Sequence, residues 1–156
     1  MQARLDILNN HSAMKVVKHL VAANTAVATA NLPAATSELV KIRASQINGC
    51  GFCLDMHTKD AAAAGESSVR LNLVACWREA TVFTEAERAA LELTEQTTRI
   101  ADGGGVTDEA WTNAAKYYDD DQLLALVAQI AVINAFNRLN VAIQRPAGEY
   151  QPGQFG

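Results

Sequence analysis

The sequence predicts an all-α protein, and three observations support this prediction. Apolar residues recur at helical spacing, and no segment shows the period-2 alternation typical of strands. Residues that favour helix starts precede most of these segments. Alanine-rich runs favour close packing of helices. With 156 residues and no internal repeat, the chain is predicted to form a single domain over residues 1–156.

The first half of the chain contains four predicted helices, each bounded by capping or turn residues. Ser12 is suited to cap the first helix, and Pro33 suits the first turn of the second. The Asn48-Gly49 pair is a strong turn signal that separates the second helix from the third. The predicted ranges are about 12–30, 33–48, 50–65 and 67–76.

Three more helices are predicted in the second half, at about 84–101, 107–117 and 119–143. Thr84 and Glu87 have the spacing of a capping box. The glycines at 103–105 form a loop, and no strand precedes them, which argues against a phosphate cradle. The tail, about 145–156, contains prolines and glycines and is not predicted to be helical.

The last helix is apolar on most sides, which is typical of a helix that is buried all round. Either it lies at a subunit interface or it is the central helix of the monomer. Its apolar residues are Leu123, Leu124, Leu126, Val127, Ile130, Ala131, Val132 and Ile133.

The stretch Cys50-Gly51-Phe52-Cys53, followed by His57, is the most informative part of the sequence. In a helix that begins near Cys50, the two thiols and the imidazole fall at i, i+3 and i+7, on one face. The helix start favours thiolate over thiol at both cysteines. This spacing predicts thiol redox chemistry.

Two arguments disagree about which cysteine is the nucleophile. His57 lies four residues after Cys53 and is suited to accept its proton, which favours Cys53 as nucleophile and Cys50 as resolving thiol. Proximity to the helix start instead favours Cys50 as the thiol with the lower pKa. We give more weight to the histidine, because it is a specific proton acceptor.

Glu38 is predicted to face His57 across the Asn48-Gly49 turn. At ~1.5 Å per residue, the two lie ~15 Å and ~11 Å from this corner and come level within one turn of an antiparallel hairpin. Glu38 also shares a helical face with Ile42 and Ser45. An inward carboxylate there is suited to orient His57 or to relay a proton.

Glu38, Cys50-x-x-Cys53 and His57 together resemble the alkylhydroperoxidase D (AhpD) family of the carboxymuconolactone decarboxylase-like superfamily. The resemblance is specific over roughly residues 33–65 and looser over later helices. The supporting segments are Glu38-Leu39-Val40, Ser45-Gln46-Ile47-Asn48-Gly49-Cys50, Met56-His57-Thr58-Lys59-Asp60-Ala61 and Ile133-Asn134-Ala135-Phe136-Asn137-Arg138-Leu139-Asn140.

This resemblance implies an AhpD-like helical bundle that assembles as a trimer or hexamer, and an alkyl hydroperoxide reductase activity. It implies that hydroperoxide attacks at Cys53, that Cys50 resolves, and that His57 and Glu38 relay protons. A thiol reductant or a lipoylated carrier protein is the implied electron donor. Phe52 departs from the family, whose best-known members carry a histidine at this position. The absence of that histidine predicts weaker peroxidase activity or a different substrate.

Other classes of protein also fit parts of the motif. A zinc site would use both cysteines and His57, but no second Cys/His pair follows. A carboxymuconolactone decarboxylase-like enzyme does not depend on a cysteine pair. A non-enzymatic redox-sensing subunit needs only the disulfide, and turnover distinguishes it. A thioredoxin-type protein requires a βαβ context that is missing here.

Composition excludes several partners. The hydrophobic content of 49% suffices for a core, and the net charge of −4 with a pI near 5.3 argues against nucleic acid. No uninterrupted apolar run reaches the ~18 residues of a membrane span. A signal-peptide pattern is absent and the cysteine usage suits a reducing compartment, so the cytoplasm is expected, with no cofactor or metal.

The remaining candidate residues are expected to be structural. Cys76 is predicted to be a small core residue, and His11 and His19 are predicted to be structural or surface residues. The polar residues of the last helix either bridge subunits or line the site. These are Asn134, Asn137, Arg138 and Asn140.

Overall fold

The computed structural model describes residues 2–155, and within that range the chain forms helices and no strand. The predicted all-α fold is therefore confirmed. A 3₁₀ turn at Val74–Cys76 follows the fourth helix. The α-helices are His11–Ala28 (α1), Ala34–Asn48 (α2), Gly51–Ala63 (α3), Ser68–Leu73 (α4), Glu85–Thr98 (α5), Ile100–Gly103 (α6), Asp108–Ala114 (α7) and Asp120–Ala142 (α8).

Capping chemistry explains most of the helix ends. The predicted capping box forms at the start of α5, where Thr84 and Glu87 each bond the other's backbone N–H. Asp119 and Gln122 form the same arrangement at α8. Gly49 ends α2 with φ of +65°, in the left-handed region that glycine tolerates best. The predicted turn at this position is therefore present.

Three boundaries differ from the prediction. Asn10, not Ser12, caps α1, because its side-chain oxygen accepts from the backbone N–H of Ala13 at 2.9 Å. Helix α5 ends at Thr98 rather than near 101, because Arg99 has ψ of +29° and leaves the helical region. Helix α7 ends at Ala114, and hydrogen-bonded turns follow it up to residue 118.

Helix α2 lies at the centre of the fold because it has apolar residues on more than one face. Val40 packs with residues of α5, α7 and α8. Leu39 and Ile42 pack instead with Trp77 and Phe83 from the segment between α4 and α5. Both clusters hold α2 in place, and α2 in turn supports α3, which contains the two cysteines.

Helix α8 is the long central partner of α2, but it is not buried all round. Leu126 and Ile130 are fully buried, whereas Leu124 is 69% exposed. The exposed side arises because α1, which packs along α8, contains no buried residue and covers it only partly. By length and composition alone α8 also meets the criterion for a membrane span, with 44% of its most apolar stretch buried inside the protein.

Candidate functional site

The turn at Gly49 folds α3 back against α2 and brings the predicted site residues together. Cys50 lies at the corner, where it is the N-cap of α3 rather than part of its first turn. Glu38 of α2 and His57 of α3 come level, with 3.1 Å between Glu38 Oε2 and His57 Nδ1. The hairpin geometry predicted from the chain length on each side of the corner is therefore observed.

Cys50 and Cys53 are free thiols whose sulfur atoms lie 2.6 Å apart. Their exposed fractions are 2% and 1%, so the dithiol is covered within the protomer. The Cys50 thiol donates to Cys53 Sγ, and the Cys53 backbone N–H in turn lies 3.4 Å from Cys50 Sγ. The N-cap position therefore directs Cys50 towards Cys53.

This arrangement lowers the pKa of Cys53 and raises that of Cys50. The hydrogen bond from Cys50, opposed by burial, together with the amides of Asn140 and Asn137 and the charge of Arg145, lowers the pKa of Cys53 to about 7. Donation to Cys53, together with burial, raises the pKa of Cys50. Cys53 is thus the thiol that ionises first, and neighbours other than His57 are responsible.

The imidazole of His57 is buried and stays neutral at neutral pH. Burial lowers its pKa, and the nearby charge of Lys41 adds to that effect against the opposing contribution of Glu38. Burial also disfavours an ionised Glu38, but the hydrogen bond with His57 and the charge of Lys41 outweigh it and lower the pKa of Glu38. An ionised carboxylate only accepts, so Nδ1 of His57 donates and Nε2 remains a proton acceptor.

His57 and Cys53 are one helical turn apart on α3, on the same face. Among the described residues, however, no hydrogen bond joins the imidazole to either sulfur, and its recorded side-chain partner is Glu38. A proton moving between Sγ and Nε2 therefore has to pass through a bridging water or through the oxygen of a substrate.

Three asparagines spaced three residues apart on α8 form a row, and part of this row contacts the site. The asparagine row consists of Asn134, Asn137 and Asn140. Asn140 Nδ2 donates to Cys53 Sγ at 3.3 Å. One turn earlier, Asn137 Nδ2 donates to Ser45 Oγ at 3.0 Å, and its oxygen accepts from Asn48 at 2.9 Å. Of the four polar residues predicted to bridge subunits or line the site, Asn140 and Asn137 line the site, whereas Asn134 bonds Thr98 and Arg138 bonds Asn134. The signal in the sequence was three asparagines at three-residue spacing in an apolar helix.

The C-terminal segment, residues 145–155, packs against the start of α3 next to the two cysteines, and sequence reasoning missed this contact. The guanidinium carbon of Arg145 lies 3.6 Å from the ring centroid of Phe52 and 5.6 Å from that of Phe155, and the two rings lie 6.3 Å apart. Ala147 passes so close to α3 that an alanine at Gly51 would place its Cβ 3.4 Å from that of Ala147. Prolines and glycines excluded a helix here, but they did not indicate where the segment packs.

Other candidates lie away from this site. Cys76 is exposed, contrary to the prediction of a core residue, because the 3₁₀ turn directs the neighbouring Trp77 inward instead. His11 and His19 are exposed surface residues, as predicted. Within residues 2–155, no three His, Cys, Asp or Glu side chains come together in a group suited to hold a metal ion.

The helical hairpin and the dithiol at its corner define an all-helical protein of the AhpD-like class. The chain belongs to the carboxymuconolactone decarboxylase family, whose sequence model matches residues 15–96. The family membership expected from Glu38, Cys50, Cys53 and His57 is thereby confirmed.

Three relatives illustrate this membership. The uncharacterized protein YdfG of Bacillus subtilis (strain 168) is 44% identical over 108 residues, which are 69% of this chain and 73% of that protein. A crystal structure from Agrobacterium tumefaciens, of a protein of unknown function described as a candidate antioxidant defence protein AhpD, superposes with a TM-score of 0.88 at 32% identity, over 96% of this chain and 100% of that one. The debrominase Bmp8 shares the fold, with a TM-score of 0.78 at 19% identity over 92% of this chain and 76% of that one.

Proposed function

We propose that this protein is a thiol-dependent peroxidase that reduces an organic hydroperoxide with Cys50 and Cys53. The observation on which the proposal depends is the asymmetric dithiol: the pKa of Cys53 is lowered to about 7, and a second thiol lies 2.6 Å away. The thiolate is the nucleophilic form of cysteine, and a neighbouring thiol allows the oxidised product to close to a disulfide. The description of the Agrobacterium relative as a candidate antioxidant defence protein supports the same class of activity.

In the first step, the Cys53 thiolate attacks the terminal oxygen of the hydroperoxide. An S–O bond forms, the O–O bond breaks, and the sulfur is oxidised to a sulfenic acid while the peroxide is reduced to an alcohol. The leaving alkoxide takes up one proton. Neutral His57, whose Nε2 is a free acceptor, takes the proton released by Cys53 and returns it to the alkoxide.

Glu38 fixes the orientation of His57 through the bond to Nδ1 and stabilises the imidazolium formed during this transfer. Lys41 pairs with the same carboxylate and helps to keep it ionised. Glu38 is therefore a positioning residue, whereas His57 exchanges the proton.

In the second step, Cys50 attacks the sulfenic sulfur of Cys53. An S–S bond forms, and the hydroxyl leaves as water with the proton of Cys50. An external dithiol then reduces the disulfide and is itself oxidised, which completes the cycle. We expect a thiol reductant or a lipoylated carrier protein in this role, a trimer or hexamer as the assembly, and the cytoplasm as the location.

The test uses protein in which the exposed Cys76 is replaced by serine, so that thiol oxidation is detected only at Cys50 and Cys53. Reduced protein is titrated with cumene hydroperoxide, and the thiols are followed by mass spectrometry in this background and with Cys50→Ser or Cys53→Ser added. We expect a disulfide in the background protein, a trapped sulfenic acid in Cys50→Ser and no oxidation in Cys53→Ser. Peroxide consumption no faster than that of a free thiol would reject the peroxidase and favour a non-enzymatic redox-sensing subunit.

A further inference from the structure

The Arg145 guanidinium stacks on the aromatic ring of the residue that directly precedes Cys53. Its central carbon lies 3.6 Å from the centroid of Phe52, the residue between the two halves of the motif, and the side chain is half-buried. Stacking of this kind orients a guanidinium and is worth ~0.5–2 kcal/mol, depending on desolvation. Phe52 therefore holds a cation near the motif, and the charge of that cation acts on Cys53.

Within residues 2–155, no carboxylate forms an ion pair with Arg145, and its side-chain N–H groups have no recorded acceptor. The ion pairs found among the described residues join other arginines, lysines or a histidine to an aspartate or a glutamate. Burial lowers the pKa of Arg145, and the negative charge of the Cys53 thiolate opposes this shift. The Cys53 thiolate is thus an electrostatic partner of this guanidinium.

The rest of the C-terminal segment is fastened to α3, which fixes where Arg145 lies. Asp55 accepts from the backbone N–H of Gly148 at 2.7 Å, and Lys59 donates to the carbonyl of Tyr150 at 2.9 Å. The residue after Lys59, Asp60, accepts from the Tyr150 hydroxyl at 2.9 Å. Three polar residues of the same helix that contains Cys53 therefore hold the segment.

We propose that Arg145 is a positioning residue that stabilises the Cys53 thiolate in addition to Cys50, Asn140 and Asn137, and that the anchored C-terminal segment keeps this charge in place. The inference rests on the proposed function for its catalytic consequence. The effect on the thiol itself is measurable without any peroxide. It also assigns a role to Phe52, whose ring supports the guanidinium.

The other charged groups near Cys53 do not replace this contribution. Cys50 faces Cys53 from the corner as a neutral thiol, because its own pKa is raised. His57, on the same helix, is neutral at neutral pH. On α2, Glu38 and Lys41 pair with each other, so that their charges largely cancel at the sulfur. Arg145 is the remaining cation.

The test measures thiolate absorbance against pH in reduced protein that carries Cys76→Ser. Arg145→Gln is compared with Arg145→Lys, which keeps the charge, and with Arg99→Gln, which removes an exposed arginine between α5 and α6. We expect the first thiol titration to rise by about one pH unit in Arg145→Gln, which lowers the thiolate fraction at neutral pH about fivefold. Arg145→Lys should lie closer to the parent protein, and Arg99→Gln should match it.

Salt dependence provides a second measurement that does not depend on how well the variant packs. Raising the ionic strength should raise the titration midpoint of the parent protein more than that of Arg145→Gln, because the charge of the half-buried guanidinium is partly screened by salt. Equal midpoints in the parent and Arg145→Gln, or equal shifts in Arg145→Gln and Arg145→Lys, would overturn the proposal. A shifted titration in a protein that fails to consume hydroperoxide supports the role of Arg145 and rejects only the peroxidase.

Discussion

Asn140 Nδ2 donates a hydrogen bond of 3.3 Å to Cys53 Sγ, although the two residues are 87 positions apart. Cys53 lies in the first turn of α3 and Asn140 in the last turn of α8. The contact therefore requires that α8 extends as far as residue 140. A donor stabilises a thiolate more than a thiol, because hydrogen bonds to ionised acceptors are the stronger ones. Asn140 therefore acts on the ionised form of the sulfur.

Asn140→Ala is expected to raise the first thiol titration by about one pH unit, because the loss of a hydrogen bond to a charged group costs ~1.5–3 kcal/mol, partly recovered through water. The titration is followed by thiolate absorbance in the Cys76→Ser background. Asn72→Ala, at an exposed position of α4, is the control and should leave the midpoint unchanged. An unchanged midpoint in Asn140→Ala would show that this contact does not govern ionisation.

His57 is expected to make the protein less stable as the pH falls. Its pKa in the folded protein is lowered below the ordinary value of 6.5, so the unfolded chain binds the proton more readily, and stability that is present above pH 6.5 is lost below it. The lowered pKa of Glu38 extends the loss to more acidic pH. Thermal unfolding at about pH 7.5 and about pH 5.5 measures this slope.

The matched comparison for this slope is His57→Gln against His19→Gln. His19 is exposed on α1, so its removal should leave the pH dependence of the midpoint as in the parent protein. His57→Gln should flatten the part of the curve between pH 6.5 and the lower limit of the range, because the group that takes up the proton is gone. A curve as steep as that of the parent would assign the slope to other groups.

The hairpin was predictable from the sequence because its geometry depends on local signals. The Asn48-Gly49 turn fixes the corner, and a constant rise per residue then brings Glu38 level with His57. Cys50 and Cys53 are three positions apart, so their proximity also follows from local structure. Long-range information was not needed for any of these contacts.

Asn140 and Arg145 could not be assigned in the same way, because their contacts depend on tertiary packing. Helical period placed Asn140 on one face with Asn137, but the direction of that face depends on how α8 crosses α2 and α3. Arg145 lies in an irregular segment, where no period predicts direction. The burial predicted for Cys76 was wrong for a related reason. In the 3₁₀ turn Cys76 is exposed, and the neighbouring Trp77 is buried instead.

Asn137→Ala is expected to destabilise the protein by about 2–4 kcal/mol, because Asn137 is fully buried and its removal leaves Ser45 and Asn48 without one partner each. Urea unfolding monitored by helical circular dichroism measures the free energy of unfolding. Asn113→Ala, at a half-buried position of α7, should cost under about 0.5 kcal/mol. Equal losses for the two variants would contradict a structural role for the asparagine row.

Tyr150→Phe tests whether the C-terminal segment is held by its polar contacts to α3. The change keeps the buried ring, which packs 5.7 Å from that of Phe155, and removes the hydroxyl that donates to Asp60. Because Asp60 is charged, the loss should weaken the segment by ~1.5–3 kcal/mol and release it locally without unfolding the helices. Hydrogen exchange of the backbone N–H groups of Gly148 and Gly153, both of which donate to aspartates of α3, should become about tenfold faster or more.

The control for this variant is Tyr117→Phe, which removes a hydroxyl from an exposed tyrosine after α7 and should leave exchange in the segment unchanged. If the segment positions Arg145, then Tyr150→Phe should also raise the first thiol titration, in the same direction as Arg145→Gln but by less, because the guanidinium retains its stacking on Phe52 for part of the time. Faster exchange with an unchanged titration would separate the two effects and show that Arg145 stays at the dithiol without the anchor at Asp60.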